Sequence, residues 1–220
     1  MTEPSFKGNH LSLNNKGQNS FQLTQPMYKS VWNWEKNRSK ILTLRGRLGF
    51  PDSSVLKLLR LSLSLEDGNI YDELRDKMAP EIEASVYCIL SGYADAEPTP
   101  ETSKLISFAQ LPGGQAYYNA FKRRAIQQIE RVFGSNPEML FKAAEMFDAT
   151  KLKHGDYSVK LCALPLVPIY VILWSTDSEF PTSANIFYDS SISHYLSTEQ
   201  IAMLSELTTA RLRQAFEAIT

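Results

Sequence analysis

One apolar run, Leu164 to Trp174, constrains this chain more than any other feature. It holds no charged residue, and its length is about half of the ~20 residues a membrane span needs. A run of that length reads as a strand buried on both faces. Just before it, Tyr157, Val159, Leu161 and Ala163 alternate with Ser158, Lys160 and Cys162, so a second strand is expected there. Pro165 and Pro168 sit in the link. Proline donates no backbone hydrogen bond, so the pair should be antiparallel with a bulged or looped connection. The run leaves through Ser175-Thr176-Asp177-Ser178-Glu179-Phe180-Pro181. Two carboxylates and an aromatic thus follow a strand exit, a common position for binding groups.

The bulk numbers remove some classes of function. With 220 residues and 43% hydrophobic content, a sizeable core is affordable. The formal net charge is -1, without the basic excess of a dedicated nucleic-acid binder. The two cysteines, Cys88 and Cys162, lie among apolar residues and are both expected as buried thiols. No CxxC occurs, so neither a cysteine zinc site nor a self-contained iron–sulfur cluster is indicated. The N-terminus shows no secretory pattern and no segment suits a bilayer, so a cytoplasmic location without membrane partners is expected.

Residues 1–27 are polar, without a clear period, and read as a mobile tail that docks through Phe21 and Leu23. Residues 28–220 read as a single α+β domain. Trp32 and Trp34 would share a face if their segment is extended. Either packing or a partner interface would use them. Pro51-Asp52-Ser53-Ser54 reads as a helix start or turn, with Val55, Leu56, Leu58 and Leu59 at helical spacing. Leu61, Leu63 and Leu65 then alternate as a strand, closed by the turn Glu66-Asp67-Gly68-Asn69. Pro80 opens a helix faced by Ile82, Val86, Ile89, Leu90 and Tyr93. Lys104–Phe108 is a short strand, and Pro112-Gly113-Gly114 breaks the chain. A helix from Gln115 carries the stripe Tyr118, Phe121, Ala125, Ile129 and Val132, closed by Gly134. Ser135 should cap the next helix, with Pro137 and Glu138 early. Ala184–Tyr188 is a strand. Ser197-Thr198-Glu199-Gln200 caps a long final helix whose inner face is Ile201, Leu204, Thr208, Leu212, Ala215 and Ile219, widened by Leu207 and Phe216. Segregated helices and a small, mostly antiparallel sheet give α+β as the fold class.

Residues 105–213 resemble an uncharacterised prokaryotic family, domain of unknown function 3786. The resemblance rests on Ile106-Ser107-Phe108 leading to Leu111-Pro112-Gly113-Gly114, then Tyr118, Phe121 and Phe133-Gly134. Gly155-Asp156, Leu164-Pro165, Pro168-Ile169 and Leu173-Trp174 follow. Asp177, Glu179-Phe180-Pro181, Ala184, Phe187, Asp189, Tyr195-Leu196 and Glu199 complete it. It extends more weakly back to about residue 55. The family brings no established activity. Some relatives join this domain to a cysteine-rich iron–sulfur module, which implies one-carbon or corrinoid metabolism for them. This chain lacks those cysteines, so no cluster is carried over and the cofactor stays unknown.

The candidate ligand site gathers Gly113, Gly114, Asp156, Trp174, Asp177, Glu179, Phe180 and Asp189. Asp177 and Glu179 would share one side of an extended segment. They suit a ligand or a hard metal, whose identity stays unknown; a turn fixed by the Asp is the plainer reading. Gly113-Gly114 before a helix offers free N–H groups for an anion, or merely a tight turn. Trp174 would wall a pocket or fill the core. Lys122-Arg123-Arg124 reads as a solvated basic run with Arg124 turned inward. His154 and His194 lack metal spacing, and no nucleophile elbow is present. The leading expectation is an accessory domain that binds a small molecule or cofactor in a cleft near 174–189. A protein–protein module, including a homodimer, and a metal-assisted hydrolase are the alternatives, and whether the chain is an enzyme is left open.

Overall fold

A computed structural model describes residues 30–75, 80–176 and 181–220. The expected tail with Phe21 and Leu23, and the candidates Asp177, Glu179 and Phe180, lie outside the described residues. The architecture is α+β, built on two antiparallel sheets. Helix α1 (Trp34–Ile41) is followed by a hairpin sheet of β1 (Val55–Leu58), β2 (Leu61–Ser64) and β3 (Ile70–Asp72) in the order β1-β2-β3. Helix α2 (Pro80–Tyr93) leads to β4 (Leu105–Ser107). One long helix then runs as α3 (Gly114–Phe121), a π segment (Lys122–Ile126) and α4 (Gln127–Phe133). After α5 (Met139–Glu145), strands β5 (Thr150–Lys151), β6 (Tyr157–Leu164), β7 (Val167–Trp174) and β8 (Ser183–Asp189) join β4 in the order β4-β8-β7-β6-β5. The short α6 (Ile192–Tyr195) and the long α7 (Thr198–Ile219) end the chain.

The apolar run forms the central strand of the larger sheet. Its register with β6 shifts between Cys162 and Leu164, the bulge that the prolines foreshadow. Val159, Leu161 and Ala163 of β6 face the core with Val167, Ile169, Val171 and Leu173 of β7 and Ile186 and Tyr188 of β8. Helix α7 packs against α2, α4 and α5 and lies over this face. Tyr188 and Ser205 share a buried hydrogen bond of 2.7 Å between sheet and helix. The start of α7 is capped as its sequence signals: Ser197 Oγ accepts from the Gln200 N–H at 3.3 Å, and Gln200 accepts from the Ser197 N–H at 3.0 Å. The apolar core is continuous from Ile41 to Ala215.

Several expectations need correction. Val55–Leu58 is a strand. Leu56 and Leu58 fit a period of two as well as a helical stripe, and pairing with β2 decides between them. Trp34 begins a helix capped by Asn33, whose side chain accepts from the Lys36 N–H at 3.1 Å, so the two tryptophans do not alternate along a strand. Ser135 caps nothing: α5 starts only at Met139, after a turn through Asn136. Ile219 is exposed, one turn beyond the last core contact of α7. Cys88 is buried, whereas Cys162 is exposed on the outer face of β6.

Candidate functional site

The described members of the expected ligand set do not meet at one place. Asp156 precedes β6, where its carboxylate accepts from the Ser175 N–H at 2.7 Å and its own N–H donates to the Leu173 carbonyl at 3.1 Å. It therefore stitches the end of β7, beside the half-exposed Trp174. Asp189 terminates β8, which runs antiparallel to β7 with Ala184 opposite Leu173. The five steps from Ala184 to Asp189 set that carboxylate about 17 Å along the strand from the Asp156 end. The sheet thus holds these two acids at opposite ends. The period-two reading placed side chains on faces correctly but carried no information on which strand ends meet.

Asp189 is buried and anchors the chain that leads into β4. Its Oδ1 accepts from the Thr102 N–H at 3.0 Å, the Thr102 hydroxyl at 3.0 Å and the Ser191 N–H at 2.9 Å. Burial alone would raise its pKa, but these donors overcome that and hold it down at about 2. Backbone conformation explains Gly113, and packing explains Gly114. Gly113 adopts φ +72°, and a Cβ on Gly114 would lie 2.0 Å from the Phe108 carbonyl oxygen. The turn is tied to the start of α7, where the Thr198 hydroxyl donates to the Pro112 carbonyl at 2.8 Å. Arg124 points outward and meets Glu206 at 3.8 Å, contrary to the inward orientation expected of it.

A different constellation stands out at the β1–β2 hairpin. Leu58 pairs with Leu61, so only Leu59 and Arg60 form the turn, at φ +50° and +61°. A two-residue hairpin with positive φ at both positions normally holds Asn-Gly or Gly-Gly. Leu and Arg are strained there, at roughly 1–3 kcal/mol per residue. The restraint comes from Arg211 on α7, which is wholly buried. Its Nε donates to the Leu59 carbonyl at 2.8 Å and its Nη2 to the Arg60 carbonyl at 3.1 Å. The guanidinium also grips Asp72 in fork geometry, at 2.7 and 2.8 Å, and reaches Gln214 Oε1 at 2.6 Å. All five guanidinium protons are used. Burial would raise the Asp72 pKa, but the Arg211 hydrogen bonds and charge, with the Leu74 N–H, hold it below the ordinary range.

The strained turn forms one wall of a cleft of about 350 Å³. Lys57, Arg60 and Glu73 stand on that side; Phe147, Asp148 and the bulge residues from Cys162 to Pro165 form the other. Arg60 spans the gap, its Nε donating to the Met146 carbonyl at 2.6 Å while Nη1 pairs with Glu73 at 3.2 Å. Asp148, at φ +54°, ends the helical segment of α5, a position where Asp tolerates the left-handed region. Among the described residues two cations face two carboxylates, so the described lining carries no net charge. The exposed Cys162 thiol opens into this cleft; packing pushes its pKa up, Lys160 opposes the shift and Glu101 adds to it.

None of these groups belonged to the expected site, although two signals were present. Arg211 falls on the apolar stripe of α7, three residues after Thr208 and seven after Leu204, and a cation on such a stripe implies a buried partner. The apolar parity also breaks between Leu58 and Leu61, which leaves room for a two-residue turn only. Among the described residues, no group of three His, Cys, Asp or Glu could hold a metal ion. No helix of the described chain is long and apolar enough to cross a membrane.

The family profile described as Domain of unknown function (DUF3786) matches residues 61–211. No curated protein and no solved structure matches the chain.

Proposed function

Because this chain belongs to the family of domain of unknown function 3786, whose description names no activity, we propose from its own geometry that it is a binding domain, and that its ligand occupies the hairpin cleft. The observation that carries this reading is the coincidence of strain and restraint. A bulky two-residue turn sits in the left-handed region, a fully satisfied buried Arg–Asp pair holds it there, and the turn walls a cleft of ligand size. The lining mixes paired charges with apolar groups such as Leu58, Phe147 and Leu164, which suits a neutral or zwitterionic small molecule with an apolar body. A strongly anionic ligand would meet Glu73 and Asp148.

Cys162 provides the assay. Cys88 is buried, so alkylation by iodoacetamide at alkaline pH reports on Cys162. The free amino acids with uncharged side chains, other than cysteine, serve as zwitterions of graded apolar size, with inorganic phosphate as the anionic contrast. The reading predicts that at least one apolar amino acid slows alkylation saturably and that phosphate does not. Protection by phosphate alone, or by none of the amino acids, would overturn it.

A further inference from the structure

A second cleft, of about 370 Å³, opens where the start of α1, the turn after β2 and the first turns of α2 meet. It shares no lining residue with the hairpin cleft. Trp32, Trp34 and Tyr87 provide its aromatic surface, and Glu35, Asp67 and Glu83 its charge. No Lys, Arg or His lines it among the described residues. Glu35 meets Arg38 at 3.8 Å on the open surface, but Asp67 and Glu83 enter no ion pair among the described residues. The cleft is therefore both aromatic and negatively charged.

The aromatic wall is built rigidly. Gly68 takes φ +79°, and a Cβ there would lie 2.2 Å from Trp34 Cγ, so the indole rests directly on the glycine backbone. Tyr87 locks the same turn by donating to the Gly68 carbonyl at 2.7 Å. Its ring centre lies 6.4 Å from that of Trp34 at 42°. Glu83 accepts from the Tyr87 hydroxyl at 3.3 Å, which draws its carboxylate toward the rings. Hydrogen bonds from Ser64 and Asn69 keep the Asp67 carboxyl below its ordinary range, so it is charged at neutral pH.

Ring faces carry negative quadrupole potential, and carboxylates add to it. A small hard metal ion would need several converging oxygens, and no such group of three is present among the described residues. A substituted ammonium ion suits the surface better, because its alkyl shell packs on indole while its charge faces the acids. We propose that this cleft binds a small molecule bearing a substituted ammonium group, with Trp32 and Trp34 against the alkyl groups and Asp67 and Glu83 as counter-charges. This reading is independent of the hairpin cleft.

The test uses the full chain carrying Trp174→Phe, so that emission comes from Trp32 and Trp34 alone. The probes are choline and its uncharged carbon isostere, 3,3-dimethylbutan-1-ol. Choline should change the emission saturably, and the isostere should bind at least ~10-fold more weakly, the factor expected when the cation–π and carboxylate attraction is removed. Trp32→Ala and Glu83→Gln should each weaken choline at least ~3-fold. Glu83→Gln keeps an acceptor for Tyr87, so it tests charge with the fold intact. Equal binding of the two probes, no saturable response to choline, or unchanged affinity in Glu83→Gln would overturn the proposal.

Discussion

The two ends of β6 and β7 differ in how their polar groups are used. At the Trp174 end, Asp156 is absorbed by the Ser175 backbone, a local stitch that an ordinary strand exit requires. At the Cys162 end, a buried guanidinium from the last helix reaches across to hold two carbonyls of a hairpin that its own residues disfavour. The first arrangement relieves an unsatisfied N–H. The second maintains strain next to an open cleft. The described acid beside the strand exit thus serves local structure, whereas the restraint at the hairpin is costly and its removal would let the backbone relax.

Breaking the restraint gives the largest expected effect. Arg211→Met should destabilise the chain by about 3–5 kcal/mol in denaturant unfolding, because Asp72 would be left buried without its partner. Adding Asp72→Leu should restore much of that loss, since the uncompensated charge goes with it. A loss in Arg211→Met as small as that of a surface substitution would remove the contrast between the two ends.

Asp189→Asn comes next, at about 1–3 kcal/mol near neutral pH, through the three hydrogen bonds that its carboxylate accepts. The folded pKa is depressed to about 2, against ~3.9 for an unfolded Asp. The stabilisation is thus fully present above about pH 4 and is lost as pH falls toward 2. Unfolding curves of the two chains should converge over that window; a constant gap would show that charge plays no part.

Asp156→Ala should cost about 0.5–1.5 kcal/mol, the ordinary worth of one hydrogen bond. It should leave the protection of Cys162 unchanged. Altered protection would mean that the two ends are coupled.

Arg60→Gly is expected to have the smallest effect on stability, within about 1 kcal/mol of zero. Relief of positive φ offsets the lost bond to the Met146 carbonyl. Protection of Cys162 should nevertheless fall, because the residue that spans the cleft is gone. A clear loss of stability with protection intact would make the hairpin a structural feature only.

Much of the fold was legible where local rules decide it. Alternation marked β2 and β6, and the Ser197–Gln200 box marked the start of α7. The misreadings occurred where two periods fit equally well, as at Val55–Leu58, and where cap chemistry lacked a helix to cap, as at Ser135. The site was far less legible. Asp72 and Arg211 are far apart in sequence, and alternation assigns a side chain to a face without saying which partner meets it. Nor does a sequence show that Leu59 and Arg60 are left-handed, since neither residue prefers that region.

Titration calorimetry tests the central claim most directly, with the amino acid that best protects Cys162 titrated into the wild-type chain, Cys162→Trp and Trp174→Ala. Filling the hairpin cleft with an indole should abolish the binding heat, while Trp174→Ala should bind like the wild type. Binding that survives in Cys162→Trp and disappears in Trp174→Ala would place the ligand at the other end of the strands and contradict the account.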